Sequence, residues 1–99
     1  MNVVLTAEAE ADLIATGEFI RPHNPARAAT YVQELLSRWF QLADMPRTYP
    51  LVPRYERHGI RRCVHEEYLI FYRVGPDRIE VIHILQGARD YEPLPFPEG

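Results

Sequence analysis

Residues 68–94 read YLIFYRVGPDRIEVIHILQGARDYEPL. Two strongly apolar runs, Tyr68–Val74 and Ile79–Leu85, flank Gly75-Pro76-Asp77-Arg78, a set of residues that favours a turn. In the first run Tyr68, Ile70, Tyr72 and Val74 alternate with Leu69, Phe71 and Arg73, the two-residue period of a strand. Both sets are apolar near the middle, which suits a central strand covered on both faces. Just ahead, IRRCVH (Ile60–His65) predicts a further strand, with Glu66-Glu67 as the turn between. Together these runs predict a three-stranded antiparallel meander.

Upstream, the run VVLT (Val3–Thr6) is short, apolar and β-branched, as an opening strand requires. Thr6 is placed to cap a helix whose first turns carry Glu8, Glu10 and Asp12, where the helix dipole favours negative charge. Ala9, Leu13, Gly17 and Ile20, joined by Ile14, predict its buried face, and Pro22 stops it near Arg21. Asn24 then reads as an N-cap and Pro25 as the first residue of a second helix. Ala28, Val32, Leu35, Leu36, Trp39, Leu42 and Ala43 sustain its apolar stripe as far as Asp44-Met45-Pro46. The stretch from Pro46 to Pro53 is too rich in proline for a regular element and predicts an extended surface loop. The fold class is thus α+β: an N-terminal strand, a helical hairpin and a meander, forming a small curved sheet with the helices on one face. The hairpin covers only one face, so the face bearing Leu69 and Phe71 is expected to receive a partner segment.

A chain of 99 residues is read as a single domain, 1–99 with a short proline-rich tail at 91–99, because halving it leaves too little core on either side. There is no apolar run long enough to cross a membrane and no basic start or apolar core of a signal peptide, so the cytoplasm is the expected compartment. The single cysteine, Cys63, has no disulfide partner and no zinc-site spacing around it, and reads as a buried strand residue. All eleven basic residues are arginine, yet the net charge is -3. That balance argues against a protein that grips nucleic acid by general electrostatics.

No metal or cofactor is expected. His23, His58, His65 and His83 are scattered, and the chain has neither a phosphate-cradling glycine loop nor a nucleophile elbow. The remaining polar cluster is Arg54 and Arg57 in the loop, Arg61, Arg62 and Arg73 on the strands, and Arg89 beyond them. Two readings stand: arginines converging on one side of the sheet to grip phosphate or carboxylate, or a solvated rim paired with Glu56, Glu66, Glu67, Glu80 and Asp90.

The order of strand, helical hairpin, proline-rich loop, I-R-R, Y-L-I-F-Y-R-V, turn, I-E-V-I-H-I-L and G-A-R-D resembles the ParE branch of the RelE/ParE toxin superfamily. The likeness runs from Val3 to about Leu94, and Ala9-Glu10-Ala11-Asp12-Leu13, Asn24-Pro25 and Ala28-Ala29 support it. The resemblance implies the toxin of a type II toxin–antitoxin module, held inactive by a ParD-like antitoxin from the same operon and meeting operator DNA only through that antitoxin. It implies a non-enzymatic inhibitor of DNA gyrase that causes broken DNA and growth arrest. The RelE branch implies instead a ribosome-dependent messenger-RNA endonuclease, for which Arg62, Arg89 and Tyr91 are the candidate catalytic residues. A third reading is a non-toxic relative that only binds antitoxin. In the RelE-like pattern an arginine follows the tyrosine opening the middle strand, whereas here Leu69 follows Tyr68, and the RelE-like lysines are absent. The gyrase reading is therefore preferred, with Arg61, Arg62, Arg73 and Arg89 as target-binding candidates. Antitoxin-binding candidates are Tyr31, Trp39, Leu69, Phe71 and Arg73, Trp39 serving either as an anchor or as core.

Overall fold

The computed structural model describes residues 2–86. Strand β1 (Asn2–Leu5) leads into helix α1 (Ala7–Ile20), which a short turn joins to helix α2 (Pro25–Asp44). After the proline-rich loop and a 3-10 turn at Glu56–His58 come β2 (Ile60–His65), β3 (Tyr68–Val74) and β4 (Arg78–Gln86). They form one sheet in the order β1-β4-β3-β2, with β1 parallel to β4 and the other pairs antiparallel. The α+β class and the order of elements are those expected. Gly87–Asp90, with Arg89, and the tail with Tyr91 lie outside the described residues.

Both helices start on the expected caps. Thr6 Oγ1 accepts from the Ala9 amide at 3.1 Å, and Asn24 Oδ1 from the Arg27 amide at 3.0 Å. Each satisfies a donor that the first helical turn leaves without a partner. Thr6 also ties α1 to the sheet, since its own amide donates to the Val81 carbonyl at 3.0 Å. On α1, Ala9, Leu13, Thr16 and Ile20 face the core, with Ala9 and Thr16 buried. Ile14, expected on that face, is 62% exposed, because it stands about 100° round the helix from Leu13.

One core cluster lies between the helices and the sheet. Tyr31, Leu35, Trp39 and Leu42 of α2 pack on Cys63, Ile70, Tyr72, Ile79, Val81 and Ile84. A second cluster occupies the opposite face: Leu69 and Phe71 with Ile60, Ile82 and Leu85, covered by Val52 and by Tyr55 of the loop. Two expectations are corrected here. The loop is not merely a surface excursion, since Val52 is buried, and Leu69 and Phe71 are not left bare for a partner. The loop is held against the edge of β2 by hydrogen bonds from the Val52 amide to the Ile60 carbonyl, 2.8 Å, and from the Arg62 amide to the Pro50 carbonyl, 3.2 Å.

A bulge in β4 lets its apolar run serve both clusters. Phe71 pairs with His83 and Tyr72 with Val81, so Ile82 is an extra residue. The alternation resets there, and Ile79, Val81 and Ile84 join the helix-side core while Ile82 and Leu85 join the loop-side core.

Candidate interaction surface

Among the described residues the strand arginines do not all share one face. Neighbours along a strand point to opposite faces, so Arg61, opposite Tyr72, lies on the helix side, while Arg62, opposite Phe71, lies on the loop side with Arg73. Arg61 donates from Nη1 to the Tyr49 carbonyl at 2.7 Å and so clamps the chain leaving α2. Arg73 donates to Glu80 at 3.0 Å, its direct cross-strand neighbour, and Glu80 also lies 3.7 Å from Arg78. Arg73 is thus the rim ion pair of the second reading. Tyr31 and Trp39 are core residues of α2, each 3% exposed, because both sit on the stripe facing the sheet.

Sequence reasoning missed a polar network where α2 meets the β2–β3 turn. Arg27 ion-pairs with Glu34 two turns along α2 and with Glu66 in the turn, the latter at 2.7 Å. His65 Nε2 lies 3.1 Å from Glu34, its ring stacks on Tyr31 at 5.5 Å, and the Tyr31 hydroxyl donates to the His65 carbonyl at 3.1 Å. The Arg27 guanidinium lies 4.8 Å from the Tyr31 ring centroid, within cation–π range. The hydrogen bond from Arg27, then that with His65, holds the Glu34 carboxyl below the usual range, while burial, followed by the charge of Glu66, raises the Tyr31 phenol. Glu34, His65 and Glu66 are spaced closely enough to hold a metal ion, but Arg27 already supplies the positive charge that both carboxylates bind.

A second missed feature closes the open edge of β4. Beyond Val81 that strand has no β1 residue beside it, and Asp12 of α1 takes over. Asp12 Oδ2 accepts from the Ile84 amide at 3.0 Å and from His83 Nδ1 at 3.1 Å. His83, a strand histidine in the sequence, is therefore held by a carboxylate from the helix. Cys63 is fully buried, and burial pushes its thiol up, so it offers no reactive thiolate.

The outer side of the helical hairpin carries an open, mainly apolar groove of about 530 Å³, with Leu13, Ile14 and Gly17 of α1 facing Ala28, Ala29 and Val32 of α2. Glu18 and Arg21 stand at its rim. Gly17 is mid-helix, where glycine costs about 1 kcal/mol relative to alanine. Among the described residues a Cβ built there meets only the Val32 side chain, at an ordinary 3.8 Å, so their packing does not require the glycine.

Residues 3–91 match the family model described as ParE toxin of type II toxin-antitoxin system, parDE. The chain belongs to the ParE toxin family. No curated protein matches it. Among solved structures, a chain from "Chromosomal ParDE TA system from P. aeruginosa" superimposes with a TM-score of 0.74 at 24% identity, covering 87% of this ParE-family chain and 95% of the other. At that identity the likeness is one of fold. Membership implies an antitoxin partner, and among the described residues no helix is long and apolar enough to cross a membrane.

Proposed function

We propose that this ParE-family toxin arrests growth by binding DNA gyrase and stabilising its cleaved-DNA state, acting by contact without itself making or breaking a covalent bond. The observation that carries the reading is Leu69. It occupies the place where the RelE-like pattern has an arginine, and its side chain is buried against Val52 and Phe71 instead of facing a substrate. A ribonuclease of this architecture needs basic and acidic groups gathered around a scissile phosphate. Arg61 and Arg62 diverge to opposite faces and Arg73 is committed to Glu80. The net charge of -3 also favours a protein target over the phosphate field of the ribosome.

A ParD-like antitoxin neutralises the toxin by folding a segment into the α1–α2 groove, where Ile14 is exposed and Gly17 leaves room for close approach. The deciding assay combines purified gyrase, ATP and relaxed plasmid with the toxin. Loss of supercoiling with gyrase-dependent linear DNA, reversed by antitoxin, is the expected result. Folded toxin that leaves gyrase untouched but cuts messenger RNA on ribosomes overturns the reading.

A further inference from the structure

We propose that a small pocket at the closed end of the helical hairpin receives an arginine side chain presented by a partner polypeptide. The pocket, about 190 Å³, is lined by Phe19 and Ile20 of α1, Arg27 and Tyr31 of α2, and Glu66, Glu67 and Tyr68 at the β2–β3 turn. It shares no residue with the α1–α2 groove.

Its chemistry is that of a cation site with flat walls. Phe19, 62% exposed, supplies aromatic surface, together with the edge of Tyr68, which is otherwise a buried core residue. The neighbourhood holds three carboxylates, Glu34, Glu66 and Glu67, against one guanidinium, Arg27. Arg27 ion-pairs with the first two, whereas Glu67, exposed, makes no ion pair among the described residues. The same corner already displays the recognition proposed, since Arg27 combines an aromatic face, Tyr31, with a carboxylate, Glu66. Phe19, Tyr68 and Glu67 offer the same combination to an incoming side chain. A guanidinium suits it better than an ammonium because a planar, weakly hydrated cation stacks on a ring and pairs with a carboxylate at once.

The turn keeps both carboxylates at this corner. Glu66 has φ of 54°, in the left-handed region where glycine or asparagine is favoured, and a smaller residue there would relieve the backbone but remove the partner of Arg27.

The test is a titration of the isotopically labelled chain with three short peptides, Ala-Xaa-Ala with blocked ends, where Xaa is arginine, lysine or citrulline, the last matching arginine in shape without the charge. Saturable shifts at Phe19, Tyr31, Glu67 and Tyr68 are expected with the arginine peptide, with Kd on the order of 1–10 mM for so few contacts. Citrulline is expected to bind at least about tenfold more weakly and lysine several-fold more weakly. Glu67→Gln and Phe19→Ala, both at exposed positions, are each expected to weaken the arginine peptide about five-fold while leaving the rest of the spectrum in place. Equal binding of arginine and citrulline peptides, lysine binding as tightly as arginine, or shifts indifferent to Glu67→Gln would each overturn the assignment. The gyrase and antitoxin readings stand or fall separately, since these peptides probe neither.

Discussion

Asp12 and Glu34 show how single carboxylates hold this molecule together. Asp12 looks like an ordinary dipole-favouring residue in the first turns of a helix, yet its side chain completes the edge of β4 by accepting from Ile84 and His83. Asp12→Ala leaves a part-buried strand amide without an acceptor and is expected to cost about 1–3 kcal/mol. Asp12→Asn, which keeps one acceptor oxygen, is expected to cost less; urea denaturation followed by the fluorescence of Trp39, the sole tryptophan, separates the two. For Glu34 the effect is one of pH. Its folded carboxyl titrates below the ordinary value because Arg27, and then His65, bind the charged form. The unfolded chain therefore binds the extra proton, and the stabilisation is fully present above the ordinary carboxylate pKa of about 4.3 and fades as pH falls through the depressed folded value. Glu34→Gln is expected to lower the urea midpoint modestly at pH 7, the pair being half-exposed, with the difference closing as pH falls through the depressed folded value.

The elements themselves were largely legible in the sequence, and the reasons are local. Tyr68–Val74 alternates cleanly, Thr6 and Asn24-Pro25 mark helix starts, and proline ends both helices. What was not legible depended on contacts between distant segments. Nothing in IEVIHIL distinguishes Ile82 as the bulged residue, and nothing in PLVPRY says that Val52 and Tyr55 fold back over Phe71. That Arg61 and Arg62 point to opposite faces was available from the sequence, since adjacent strand residues cannot both reach one face. The loop's attachment is testable at Tyr72, whose hydroxyl donates to the Pro46 carbonyl at 2.7 Å and whose burial pushes its pKa up to about 12. Tyr72→Phe is expected to cost about 1 kcal/mol and to hasten hydrogen exchange at the Val52 and Arg62 amides. On the helical hairpin, Gly17→Ala is expected to stabilise the toxin by about 0.5–1 kcal/mol, because its methyl group fits against Val32. Gly17→Leu projects into the groove and is expected to weaken antitoxin binding at least about tenfold, or 1.4 kcal/mol, measured by calorimetry on the folded variant.

At the scale of the whole molecule, the sheet carries a distinct surface on each side. The helix side presents the hairpin with its groove and its acidic, aromatic corner, and the loop side seals a second core. A partner that wraps the hairpin thus need not disturb the loop-side core. The topology has a consequence in time as well. Strand β1 emerges first from the ribosome, but its sheet neighbour is the last described strand, with Val3 lying beside Ile79. Translating the roughly 80 residues between the two events takes about 4–16 s at ordinary elongation rates. Throughout that interval the growing polypeptide lacks both pairings of β4, so β1 waits without a sheet neighbour until the last described strand has been made.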